Sequence, residues 1–96
     1  MLNPLEATQR AIGYMQEIMP DLVQGHEIRL EEIESKSIET HDRAKLPIWD
    51  LTISVPDPEA GKVLGNLTPF GYKRVAKVIT LNAEDGSLIA IKQYAA

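Results

Sequence analysis

Apolar and polar positions alternate most cleanly in Ile48-Trp49-Asp50-Leu51-Thr52-Ile53-Ser54-Val55, where Trp49, Leu51, Ile53 and Val55 face one way and Asp50, Thr52 and Ser54 the other. This period of two predicts a strand over residues 47 to 55 with one wet face. Two further apolar runs, residues 72 to 82 and 87 to 93, flank the polar loop Asn82-Ala83-Glu84-Asp85-Gly86. Asp-Gly supplies a left-handed residue without steric cost, so the chain is expected to fold back here as a β-hairpin.

A period near 3.6 marks the start of the chain. Asn3 is placed to cap, Pro4 occupies the first helical position, and Glu6 lies in the first turn, where the helix dipole favours a carboxylate. Leu5, Thr8, Ala11, Ile12, Met15, Ile18 and Met19 share one face, whereas Glu6, Gln9, Arg10, Gln16 and Glu17 fall mainly on the other. Pro20 ends the helix near residue 19, and Asp21 to Gly25 reads as a turn with Leu22 and Val23 tucked inward.

From His26, Ile28 and Leu30 alternate with Glu27, Arg29 and Glu31, which predicts a strand over residues 26 to 34. The phase slips at Glu31-Glu32-Ile33, so this strand either carries a bulge or leaves the sheet. Ser35 to Lys45 is polar and makes a connecting turn or the solvated end of a long hairpin. Pro56-Asp57-Pro58 ends the alternating strand, and the breakers up to Gly71 predict a loop of roughly 14 residues. Val63, Leu64, Leu67 and Phe70 make this loop unusually apolar. Two readings fit them: a plug for the open end of the core, or a contact surface for a partner that also takes in Tyr72.

At 96 residues with 44% apolar content, the chain has material for one core, so residues 1–96 are expected to form a single α+β domain. The helix packs on a four-stranded antiparallel meander sheet. No apolar run reaches the length of a membrane span, Met1-Leu2-Asn3-Pro4 is unlike a secretory signal, and cysteine is absent. The expectation is a cytoplasmic protein with no membrane partner. The net charge of −4 divides into −7 over residues 1 to 60 and +3 over residues 61 to 96. Opposite charges on neighbouring strands account for that split, and the acidic total argues against nucleic acid as a partner. Lys73, Arg74 and Lys77, beside Phe70 and Tyr72, are the one basic cluster, a minor candidate for stacking single-stranded bases.

Catalytic chemistry finds little support. His26 and His41 are fifteen residues apart and show no ligand spacing, and Gly61-Lys62 lacks the glycine and hydroxyl residue of a phosphate loop. Asn66-Leu67-Thr68 matters as a glycosylation acceptor only in a secreted protein. Glu31, Glu32 and Glu34 offer carboxylates, yet strand geometry sends neighbours to opposite faces, and they read as a solvated edge. Trp49, Tyr72 and Tyr94 read as side chains at the margins of the core. No catalytic residue, cofactor or metal is expected.

Tyr72-Lys73 and the run Val78-Ile79-Thr80-Leu81-Asn82-Ala83-Glu84-Asp85-Gly86-Ser87-Leu88-Ile89-Ala90-Ile91-Lys92 resemble the ending of PepSY-like domains and related small uncharacterised bacterial domains. With Trp49-Asp50-Leu51-Thr52-Ile53 as the preceding strand, the resemblance covers about half the chain. It implies a cystatin-like arrangement, a helix wrapped by a curved antiparallel sheet, and a binding or inhibitory role instead of catalysis. The expected function is a small non-enzymatic protein-binding or regulatory module, with homodimer formation left open. The alternative is a small-molecule-binding or enzymatic domain using a cavity between helix and sheet, for which Asp50 and His26 are the polar candidates.

Overall fold

A computed structural model describes residues 1–23, 27–56 and 74–94. Helix α1 spans Pro4–Ile18, a single further helical turn α2 spans Pro20–Val23, and four strands follow: β1 Arg29–Glu39, β2 Lys45–Pro56, β3 Arg74–Asn82 and β4 Leu88–Gln93. The strands form one antiparallel sheet in the order β1-β2-β3-β4, with α1 on one face, an α+β fold.

Asn3 starts α1 through a reciprocal capping box. Its Oδ1 accepts from the Glu6 N–H at 2.8 Å, and its own N–H donates to Glu6 Oε1 at 3.0 Å. Two otherwise orphaned donors are thereby satisfied. The helix ends at Met19, but Pro20 then serves as the first residue of α2. Asp21 to Val23 is therefore helical, because proline blocks only the hydrogen bond behind it. Val23 is buried, as the inward turn requires.

The buried stripe of α1 is Ala7, Ala11 and Met15, all fully inaccessible, while Leu5 is 67% and Ile18 53% exposed. The contact face is thus rotated from the one predicted. Ala7 and Ala11 take the buried places, whereas Leu5 and Ile18, near the two ends of the helix, stay exposed. Leu51, Ile53 and Val55 of β2 and Ile79 and Leu81 of β3 complete this core, with Trp49, Ile33, Leu88 and Ile91 packed around it. Each fully buried Leu, Ile or Met contributes about 1.5 to 3 kcal/mol.

The first hairpin is longer than expected. β1 and β2 stay paired from Arg29↔Ser54 to Glu39↔Lys45, so the turn shrinks to Thr40–Ala44, and Ser35 to Lys45 is the solvated end of a long hairpin. The phase slip is a bulge: register shifts between Leu30 and Glu32. In the second hairpin Gly86 adopts φ +77°, and its N–H donates to the Asn82 carbonyl at 2.8 Å. Asn82 and Asp85 side chains accept from Glu84 and Ser87 N–H groups, which fixes the turn.

Candidate functional site

Helix α1 covers one face of the sheet, and the opposite, outer face carries most of the polar side chains of β2. Ser54 is 2%, Thr80 5% and Thr52 8% exposed, although no described element lies over them. The expected wet face is therefore polar but largely dry. Long side chains from β1 and β3 lean across the central strands, and every buried polar side-chain atom of the described residues has a hydrogen-bond partner.

Two polar groups occupy this face. In the first, Arg74 Nε donates to Ser54 Oγ at 2.9 Å, its Nη2 donates to the Ser54 and Glu27 carbonyls at 3.0 and 3.3 Å, and Ser54 Oγ donates to Glu31 Oε1 at 2.7 Å. Glu31 also lies 3.9 Å from Arg74 Nε. The bulge makes this contact. It brings Glu31 to the same face as Glu32, where an unbroken strand would send the two neighbours apart. In the second group, Thr80 Oγ1 donates to Asp50, whose other oxygen meets Lys36 Nζ at 3.4 Å, and Lys36 also pairs with Glu34 at 3.2 Å.

A hydrogen bond shared with Glu34, and then the Glu34 charge, raise the pKa of Glu32 above the usual carboxylate value. The same shared hydrogen bond, followed by Lys36, lowers that of Glu34. Hydrogen bonds to Glu34 and Asp50 raise that of Lys36.

Arg29, Glu31, Glu32, Thr52, Ser54, Arg74, Ala76 and Tyr94 line an open groove of about 510 Å³ on this face. Ser54 does not present a free nucleophile: it is almost fully covered, its hydrogen is directed to Glu31, and its oxygen accepts from Arg74. Tyr94 is 46% exposed beside the groove instead of closing the core. The groove supplies fixed charge, a hydroxyl-lined floor and one aromatic ring, a set suited to holding a polar surface.

Asp50 lies on the outer face and not between helix and sheet, because residues of β2 alternate and Leu51 already faces α1. The helix-sheet interface is filled by apolar side chains. A separate open recess between α1 and the β3–β4 turn is lined by Glu6, Gln9, Arg10, Glu84 and Asp85, all exposed. Glu6 and Asp85 are engaged in the helix cap and the turn. The basic cluster divides: Arg74 lies on the outer face, whereas Lys77 pairs with Ile53 on the helix side. His41 is exposed in the first hairpin turn. Among the described residues, no group of His, Asp and Glu is arranged to hold a metal ion. No helix is long and apolar enough to cross a membrane among them.

Val63, Leu64, Leu67, Phe70 and Tyr72, the residues expected to meet a partner, lie outside the described residues, as do His26 and Lys73. Pro56 and Arg74, the described residues on either side of that segment, are a directly paired couple at the groove end. The Arg74, Ser54 and Glu31 cluster was not anticipated. Only the phase slip at Glu31-Glu32 signalled it, since the contact depends on cross-strand register. Comparison with protein-family models, curated proteins and solved structures finds no match to this chain.

Proposed function

We propose that the chain is a small non-catalytic protein-binding or regulatory module whose working surface is the groove end of the outer sheet face, continued by residues 57–73. The observation that carries this reading is the Arg74, Ser54 and Glu31 bracket. It fixes charged groups by hydrogen bonds on a sheet face that no described element covers, beside Pro56 and Arg74, which flank the apolar stretch 57–73 in the sequence. Preorganised charge and hydroxyl groups lower the ordering cost of binding, and Leu64 and Phe70 supply apolar anchors. The resemblance of the last hairpin to PepSY-like domains supports a binding or inhibitory role, and the absence of cysteine from the sequence supports a cytoplasmic setting. A small-molecule site between helix and sheet is less favoured, because that interface is packed with apolar side chains.

Affinity capture from native lysate tests the proposal with three immobilised proteins: wild type, Arg74→Glu, and Leu64→Ser combined with Phe70→Ser. A protein retained by wild type and lost from both variants, at unchanged melting temperature, supports it. If both variants retain the same proteins as wild type, or if the serine variant melts much earlier, the surface is not a docking site.

A further inference from the structure

Among the described residues, the two edges of the sheet, β1 and β4, pair with no further strand and differ in character. β4 has six residues, a bulge opposite Thr80 and Leu81, and Lys92, devices that discourage further pairing. β1 has eleven residues, and among them only Ile33 is shielded from solvent beyond the level of an exposed residue.

The ladder fixes what β1 offers outward. Antiparallel pairs alternate between those that exchange backbone hydrogen bonds and those that do not. The Thr40 N–H donates to the Ala44 carbonyl, so counting back along the register the exchanging pairs are Ile38/Leu46, Lys36/Ile48 and Glu34/Asp50. Pro47, which has no N–H, falls in a non-exchanging pair with Ser37 and turns its carbonyl to Ala83 on the other side, as this phase requires. The N–H and C=O groups of Ile33, Ser35 and Ser37 therefore point to the open edge.

We propose that β1 is a self-pairing edge: a second copy of this chain docks on it antiparallel, about a two-fold axis through Ser35, and continues the sheet. Ser35 then exchanges two hydrogen bonds with its own mate, and Ile33 exchanges two with Ser37 of the second copy on either side. Glu34 falls opposite Lys36 twice, in the non-exchanging pairs where side chains come closest. Ile38 meets the stem of Glu32. The charges favour this register, the one that sets Glu34 and Lys36 opposite each other, whereas an axis at Ser37 sets no charged pair opposite. An axis at Glu34 or Lys36 sets each of those residues on its own mate, and an axis at Ile33 sets Glu32 on Glu34. Glu31, which would oppose Glu39, is withdrawn by the bulge onto Ser54 and Arg74. Such an interface is isologous, and the two helices lie on the same face of the continued sheet.

Sedimentation equilibrium with the full chain tests this edge while leaving Arg74, Ser54 and residues 57–73 unchanged. Wild type is expected to pass from one-chain to two-chain mass as concentration rises through the micromolar range. Lys36→Glu and Glu34→Lys each turn both central pairs into like charges and are expected to weaken association roughly tenfold. An equimolar mixture of these two variants sets opposite charges across the edge again and is expected to dimerise. Ser35→Pro removes an outward N–H without touching a β1–β2 hydrogen bond, and is expected to stay at one-chain mass with its sheet signal in circular dichroism intact. A wild type at one-chain mass throughout, a mixture that does not associate, or a dimer that survives Ser35→Pro overturns the proposal.

Discussion

Tyr14 and Gly86, 72 positions apart in the chain, meet where the Tyr14 hydroxyl donates to the Gly86 carbonyl at 3.1 Å. The bond ties the middle of α1 to the turn between β3 and β4. Beside it, Leu2 N–H donates to the Ala83 carbonyl at 2.7 Å, and Trp49 Nε1 donates to the Leu2 carbonyl at 3.1 Å. Helix, chain start and two strands are thus joined at one end of the sheet, while the polar groove occupies the other.

Tyr14→Phe removes the hydroxyl and keeps the ring. A partly buried hydrogen bond of this kind contributes about 1 kcal/mol net, so the urea midpoint is expected to fall accordingly. A midpoint equal to that of wild type would mean that water serves the Gly86 carbonyl equally well.

Two glycines are expected to respond in opposite directions to alanine. At Gly86 the backbone has φ +77°, and an added Cβ would lie 3.1 Å from Leu2 Cδ2, so Gly86→Ala is expected to destabilise by about 1 kcal/mol and Gly86→Val by more. Gly13 sits within α1 with no heavy atom within 4 Å of an added Cβ. Gly13→Ala is expected to stabilise by roughly 0.5 to 1 kcal/mol, read from the same denaturation curves.

Ile53→Asp places a charge at a fully buried position in the core. The cost, several kcal/mol against a total of roughly 5 to 10, is expected to unfold the domain. Ile89→Asp, at a 40% exposed position, is the control that retains a cooperative melt.

Asp85 accepts from the Ser87 N–H, and this hydrogen bond is the main reason its pKa lies below 3.8. A lowered carboxyl pKa adds stability that is present above the unfolded value and is lost as pH falls through the folded value. Asp85→Asn keeps an acceptor oxygen but cannot titrate. Between about pH 5 and pH 2.5, the loss of stability is expected to be smaller for this variant than for wild type. Equal acid losses would show that Asp85 contributes nothing to the acid limb.

Much of the fold was legible because it rests on local signals. Asn3-Pro4 started a helix, Asp85-Gly86 made a turn with positive φ, and the alternation from Trp49 to Val55 assigned the core face of β2 correctly. Local signals misled where packing distance decided the outcome. Leu5 and Ile18 are the more apolar residues of α1, yet Ala7 and Ala11 take the buried places because small side chains permit a close approach. Polarity misled in the same way at Thr52 and Ser54, which are buried on the face expected to be wet.

What the sequence determined by itself was therefore the kind and order of elements, since a period of 3.6 or 2 and a capping or turn residue act over a few neighbouring positions. The tertiary structure alone decided that Arg74, Ser54 and Glu31 form a bracket and that Arg74 parts company with Lys77. Both depend on which residues stand opposite one another across strands. A shift of one position would send each side chain to the other face, and the bulge between Leu30 and Glu32 makes that shift for Glu31.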